Sequence, residues 1–117
     1  MNFILRLLIT AAVAYGLSKI LSGVTIDSFS TAIIFAIVLA ILNTIVKPLL
    51  ILLTLPITII TLGIFLFVIN ALVILLADNL IGGINVEGFF WALIFSLILS
   101  VLSSLLISML DKEGNTK

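Results

Sequence analysis

The chain has 117 residues, of which 64% are apolar and 9% are charged, and its five basic and five acidic side chains give a formal net charge of zero. An average soluble domain carries about 25% charged residues, so the composition predicts a small integral membrane protein rather than a soluble globule. The chain has no cysteine or histidine, which excludes disulfides and thiolate or imidazole chemistry. It also has no basic run of the kind that binds nucleic acid.

Four long apolar segments predict an all-α transmembrane domain over residues 1–110, with spans at about 2–21, 28–46, 62–77 and 88–110. A spanning helix needs about 20 predominantly apolar residues. Arg6 and Lys19 lie near the ends of the first span, where their long side chains can reach the head groups. A cleaved signal peptide is the alternative for this segment. Residues 111–117 are expected to form a polar, frayed tail.

Two prolines interrupt the connection between the second and third spans. The charge-free run from Pro48 to Ala77 is 30 residues long, which is too long for one straight helix and too short for two. Because proline removes a backbone donor, Pro56 should kink or end a helix. Residues 48–61 are therefore expected to form an interfacial or re-entrant segment, or a kinked extension of the third span. The residues assigned to this connector are Asn43, Lys47, Pro48, Pro56 and Gly63.

The sequence also matches itself after a shift of 60 residues. Between Gly23 and Asn43 there are 21 aligned pairs, and seven of them are identical. Turn and polar residues stay in register as well as apolar ones, which is harder to reach by chance in apolar sequence. The match predicts a parallel internal repeat, in which two tandem helical hairpins are related by an axis along the membrane normal.

The distribution of basic residues predicts the orientation in the membrane. Four spans place both termini on one side, together with Arg6, Lys47, Lys112 and Lys117, whereas Lys19 alone lies on the other side. By the positive-inside rule this distribution favours an orientation with both termini inside the cell.

Small residues recur every four positions in the second and fourth spans, which places them along one face of each helix. These helix-packing residues are Ala32, Ala36, Ala40 and Thr44 in the second span, and Ala92, Ser96, Ser100 and Ser104 in the fourth. In lipid, small residues let helix backbones approach closely. The two stripes indicate either packing of the second span on the fourth within one chain, or a contact between copies in a homo-oligomer.

A few polar residues lie inside the apolar segments, where an unpaired amide is costly. Thr10 and Asn70 are intramembrane and correspond to each other in the repeat. For Asn43 and Asn70 the simplest interpretation is an interhelical hydrogen bond, and a contact with a transported substrate is the alternative. Lys47 is expected at the head groups, on lipid phosphate. The acids lie at span ends, which fits neither an aspartyl intramembrane protease nor a proton relay.

A set of short motifs in the middle of the chain is more specific than its composition. Residues 43–50 read Asn-Thr-x-x-Lys-Pro-x-Leu, and they are followed by Leu-Pro-x-Thr at 55–58, Leu-Gly at 62–63 and Asn-Ala at 70–71. In these motifs the chain resembles the YvlD-like bacterial membrane family, also called the four-transmembrane phage holin superfamily IV. The resemblance implies a polytopic inner-membrane protein, and the holin label implies oligomers that permeabilise the membrane.

Three functions are compatible with these features. The first is a holin-like membrane protein that self-associates and permeabilises the bilayer. The second is a non-pore scaffold or stress-response protein of the cell envelope. The third is a small transporter subunit, which would need polar residues facing a shared cavity. All three are non-enzymatic. The expected partners are the lipid bilayer and further copies of the chain, and no catalytic residue, cofactor, metal or small-molecule substrate is identified.

Overall fold

The computed structural model describes the backbone of residues 2–115 and the side chains of residues 2–111. Within this range the chain forms five helices and two short strands. In chain order these are α1 (Phe3–Ile20), β1 (Val24–Ile26), α2 (Phe29–Leu53), α3 (Leu55–Ile60), α4 (Phe65–Leu80), β2 (Ile84–Val86) and α5 (Phe89–Asn115).

The four long helices form a ring in which each packs on two neighbours. Both α1 and α4 contact α2 and α5, so that α2 and α5 lie diagonally opposite each other. The rings of Phe35 and Phe95 meet across this diagonal, with centroids 5.9 Å apart, and both side chains are fully buried. Buried alanines such as Ala11 and Ala71 line the interior, where their small side chains permit close helix packing.

The outer surface of the bundle is apolar. Among the described residues α1, α2 and α5 are long and apolar enough to cross a bilayer, and α4 is a shorter apolar helix of 16 residues. Many large side chains are exposed around the ring, including Ile4, Ile34, Ile45, Leu72 and Leu105. A surface of this kind suits lipid rather than water, and the architecture agrees with a four-span membrane protein.

The structure is all-helical apart from the two loops between paired spans, which join in a short antiparallel ribbon that the sequence analysis did not predict. Thr25 of β1 pairs with Asn85 of β2. Beyond the strands, Asp27 N–H donates to the Gly83 carbonyl at 2.8 Å, and Glu87 N–H donates to the Gly23 carbonyl at 2.8 Å. The ribbon therefore ties the α1–α2 hairpin to the α4–α5 hairpin at one end of the bundle.

Two glycines shape this ribbon for different reasons. Gly23 is buried directly under the indole of Trp91, and a Cβ at this position would overlap the ring atoms Cγ, Cδ1 and Cδ2. Gly83 has φ +87°, and a Cβ there would lie 3.1 Å from the side chain of Thr31. Position 23 therefore requires glycine for space, and position 83 favours it for backbone conformation.

The connector differs from the sequence-based prediction. Pro48 does not end the second span, because α2 continues through it to Leu53. Membrane helices tolerate proline because side-chain hydroxyls and local adjustments satisfy the freed carbonyls. The helix ends instead at Thr54, whose Oγ1 donates to the Leu50 carbonyl at 2.7 Å. Pro56 lies in the first turn of α3, where its missing N–H has no helical partner to lose.

The other boundaries also shift. The third spanning helix begins at Phe65 and ends at Leu80, after a turn in which Leu62 and Gly63 both have positive φ. The last helix continues beyond 110 as far as Asn115, although residues 111–117 were expected to form a frayed tail. Residues 116 and 117 of that predicted tail lie outside the described residues.

Candidate functional site

The predicted small-residue stripes run from the core of the bundle to its surface. Near the ribbon, Ala32, Ala36, Ala92 and Ser96 are buried. Farther along the helices Ala40 is half-buried, while Thr44, Ser100 and Ser104 are exposed. Because α2 and α5 are diagonal, the stripes do not form the direct packing of the second span on the fourth that was one of the two interpretations.

A polar cleft of about 350 Å³ opens between α1 and α2, with Ile107 of α5 at its side. Its polar lining consists of Arg6, Thr10, Asn43 and Thr44. The first two residues lie four apart on α1, so they share one helix face. The antiparallel packing of α1 on α2 brings this face opposite the second half of α2, at the end of the bundle away from the ribbon.

A smaller cavity of about 50 Å³ lies between α2, α4 and α5, which is enough room for a few water molecules. Asn43 and Lys47 reach it from α2, Asn70 from α4, and Ser96 and Ser100 from α5. Asn43 and Leu39 also line the larger cleft. The two spaces therefore share a wall, and the cleft and cavity together contain most of the polar residues that the sequence placed inside the membrane.

The hydroxyl and amide groups of this region behave differently. The Oγ1 of Thr44 donates to the Ala40 carbonyl at 2.8 Å, and the Oγ of Ser96 donates to the Leu93 carbonyl at 3.0 Å. Each of these bonds is made within the helix that carries the hydroxyl, which is α2 for Thr44 and α5 for Ser96. For Asn43 and Asn70, the expected interhelical hydrogen bond is not formed with any described residue, and both side chains line the shared cavity instead.

Basic side chains line the cleft and the cavity, while three of the four described acidic side chains lie near the ribbon. Arg6 is exposed in the cleft and Lys47 is half-buried in the cavity, while no described acidic side chain lines either space. Asp27, Asp78 and Glu87 all lie in or next to the segments that form the ribbon. Arg6 and Lys47 therefore bring two basic groups to the cleft and the cavity, while Lys19 lies at the ribbon end and Asp111 lies one helical turn after Ile107.

The other predicted residues lie elsewhere. Pro56 and Gly63 belong to the connector around α3 and line neither space. Thr10 and Asn70, which the predicted repeat aligns with each other, line the cleft and the cavity respectively. Arg6 was predicted only to reach the head groups, and its place in the cleft was missed. The sequence did contain a signal for this placement. Arg6 and Thr10 are four residues apart, as are Asn43 and Lys47, so each pair lies on one helix face.

No group of three or more acidic, histidine or cysteine side chains that could hold a metal occurs among the residues that the structure describes. The chemistry that this arrangement offers is therefore that of a cationic guanidinium, an ammonium, two amides and several hydroxyls beside an apolar wall. Such groups donate hydrogen bonds to anionic or polar ligands.

Comparison with known proteins gives the chain a family. A family model described as "Mycobacterial 4 TMS phage holin, superfamily IV" matches residues 1–105. The chain is 41% identical over 96 residues to YvlD, an uncharacterised membrane protein of Bacillus subtilis, with 81% of each chain covered. It is also 41% identical over 85 residues to the uncharacterised protein SCO3922 of Streptomyces coelicolor, covering 69% of this chain and 68% of the relative. No solved structure matches the chain significantly.

These matches confirm the resemblance that the central motifs indicated, and they agree with the apolar helices of the structure in making this a membrane protein. The chain belongs to the four-transmembrane-segment phage holin family of superfamily IV.

Proposed function

We propose that the protein is a holin-like component of the bacterial inner membrane that self-associates and permeabilises the bilayer as an oligomer. The role is non-enzymatic. Phe35 and Phe95 fill the centre of the helix ring, so a conducting path would form between copies of the chain rather than through one copy. Family membership and the apolar outer surface support the setting of this proposal.

The observation that carries the proposal is the exposed part of the stripe on α5. Ser104 belongs to this stripe, Ser108 continues its four-residue spacing, and both are exposed, whereas Ser100 lines the cavity inside the bundle. They are flanked by exposed apolar side chains such as Val101 and Leu105. Small hydroxyl residues on a lipid-facing helix favour close contact with a second helix, so this face of α5 is suited to a contact between protomers.

The proposal includes a tandem duplication with a two-fold axis along the membrane normal. Thr25 and Asn85, which pair in the ribbon, also correspond to each other under the shift of 60 residues. The same shift exchanges the two hydrogen bonds that flank the strands, between Asp27 and Gly83 and between Glu87 and Gly23. Phe35 and Phe95 are likewise a corresponding pair and meet at the centre.

The proposed orientation has both termini inside the cell. Arg6 and Lys47 lie at the end of the bundle away from the ribbon, and the acids Asp27, Asp78 and Glu87 lie at or near the ribbon. Lys19 lies at the ribbon end, so two basic side chains against one favour the end away from the ribbon as the inner side by the positive-inside rule. A phosphatase or fluorescent-protein fusion to the C-terminus tests the orientation, and activity of the fused phosphatase outside the cell would overturn it.

Permeabilisation is tested with purified protein in a planar bilayer, combined with subunit counting and with dye leakage from expressing cells. We expect discrete conductance from an oligomer, and we expect Ser104→Leu to lower both oligomer size and conductance because the bulky side chain blocks close contact. Ser30→Leu is the matched control, since Ser30 is exposed on α2 outside the stripe. An intact membrane potential at high expression would refute the permeabilising role.

A second candidate, a small transporter subunit, is favoured by one observation. Asn43, Asn70, Ser96 and Ser100 face a shared cavity, as a substrate path through the bundle would require. This candidate predicts saturable uptake of a solute without discrete conductance, whereas the holin-like role predicts conductance that does not saturate. A non-pore envelope scaffold would show neither behaviour.

A further inference from the structure

We propose that the cleft between α1 and α2 is a binding site for one anionic phospholipid. Arg6, Asn43 and Thr10 bind the phosphate of the head group, and an acyl chain follows the apolar wall. This inference concerns the end of the bundle away from the ribbon, and it does not depend on the proposed permeabilising role.

The polar lining provides the chemistry that a phosphate diester needs. Arg6 is exposed and presents a planar guanidinium, which matches phosphate oxygens with two parallel hydrogen bonds. The amide of Asn43 and the hydroxyl of Thr10 add donors from facing helices. The residues that line the cleft include no carboxylate among those that the structure describes.

The remaining lining favours an amphiphile over a free anion. The cleft encloses about 350 Å³, and its apolar wall includes Phe3, Leu7, Leu39 and Ile107. Water-soluble phosphate would leave this wall in contact with water, whereas an acyl chain covers it. The position fits as well, because Arg6 lies in the second turn of α1, near the membrane surface where phospholipid head groups lie.

Lys47 explains why the lipid should be anionic rather than zwitterionic. It lies one helical turn from Asn43 on α2, in the cavity that shares the Asn43 wall with the cleft. A second cation behind the phosphate adds attraction for a net negative head group. It also repels the ammonium group that a choline head group carries.

The test measures lipid retention by native mass spectrometry of the full chain purified in detergent. Dioleoyl-phosphatidylglycerol is titrated against dioleoyl-phosphatidylcholine, and inorganic phosphate is added in a separate arm. We expect one phosphatidylglycerol per chain, bound at least about tenfold more tightly than phosphatidylcholine. Arg6→Gln should weaken phosphatidylglycerol binding about tenfold or more, since a charge-assisted bond is lost.

Two further variants separate a local site from a general charge effect. Lys19→Gln removes one positive charge from the ribbon end, where Lys19 lies over the ring of Tyr15, and should leave binding unchanged. Ala40→Leu keeps every charge but fills the cleft from α2, and should weaken binding. Thermal unfolding of each variant checks that it is folded, and Arg6 is exposed, so its replacement leaves the core intact.

Three results would overturn the inference. The first is equal retention of phosphatidylglycerol and phosphatidylcholine by the unmodified protein. The second is the same loss of binding in Arg6→Gln and Lys19→Gln, which would indicate attraction by net charge alone. The third is displacement of phosphatidylglycerol by millimolar inorganic phosphate, which would identify a site for free phosphate rather than for a lipid.

Discussion

Replacing Gly23 by alanine tests how the ribbon is fastened to the bundle. Gly23 is buried at the start of the ribbon, and the indole of Trp91 at the start of α5 covers it. The new Cβ would overlap three atoms of this ring. Either the indole must rotate away or the ribbon must shift, and a shift would strain the 2.8 Å hydrogen bond from Glu87 N–H to the Gly23 carbonyl.

The expected magnitude follows from two opposing effects. Glycine-to-alanine changes at compatible positions stabilise proteins by about 0.4–1 kcal/mol, because the unfolded chain loses freedom. Overpacking of a filled site costs about 1–3 kcal/mol. Since the overlap involves the ring itself rather than the end of a flexible side chain, the second effect should dominate, and we expect a net loss of about 1–2 kcal/mol.

Thermal unfolding in detergent micelles measures this loss, and the fluorescence of Trp91 reports it directly because the chain contains one tryptophan. The matched control is Gly82→Ala, since a Cβ at Gly82 would meet nothing within 4 Å. Gly23→Ala should lower Tm and shift the emission of Trp91, while Gly82→Ala should do neither. Equal Tm values for the two variants would refute the proposed packing of Trp91 on the ribbon.

Three further changes test other parts of the fold by the same unfolding measurement. Gly83→Ala forces alanine to adopt φ +87° beside Thr31, and should destabilise by about 1–2 kcal/mol; unchanged stability would show that the turn relaxes freely. Phe95→Ala empties the centre of the ring and should cost about 3–5 kcal/mol, whereas Phe90→Ala, at a position 69% exposed, should cost far less; equal effects would contradict the central placement of Phe95. Ser28→Ala removes the side chain that caps α2 by accepting from Thr31 N–H at 3.2 Å, and should cost about 0.5–2 kcal/mol; a loss restored by Ser28→Asp supports the cap, and no loss argues against it.

The long apolar helices could be predicted because the thickness of a bilayer sets the length of each apolar segment. The end of α2 could not be predicted in the same way. The usual rule for proline expects the lost hydrogen bond to kink or end the helix. In this chain α2 passes through Pro48 and ends at Leu53, and the next residue, Thr54, donates to the Leu50 carbonyl from both its N–H and its hydroxyl. The proline rule therefore predicted an interruption near the connector, but it did not predict the residue at which α2 ends.

The ribbon was missed for a different reason. Val24–Ile26 and Ile84–Val86 each alternate buried, exposed and buried residues, but three residues are too few for alternation to indicate a strand. Their pairing also joins segments that are far apart in sequence, which no local pattern reports. The predicted repeat aligned the two segments with each other in sequence, which does not show that they are in contact.

The polar site was predictable as a list of residues but not as a place. Thr10, Asn43, Lys47 and Asn70 each stood out because polar groups are costly in lipid. Their grouping depends on antiparallel packing, which brings the start of α1 beside the end of α2. Arg6 illustrates this limit. The sequence shows its charge, but it does not show which residues of α2 and α5 lie beside it.

The ribbon also sets an order of events during synthesis. Thr25 cannot pair until Asn85 has been synthesised. Ribosomes add about 5–20 residues per second. The first hairpin therefore spends roughly 3–12 s in the bilayer before its partner strand emerges. During this interval the faces of α1 and α2 that later pack on the second hairpin contact lipid or the insertion machinery. Substitutions in the ribbon should therefore reduce the yield of correctly inserted chains more strongly than they reduce the stability of the finished protein.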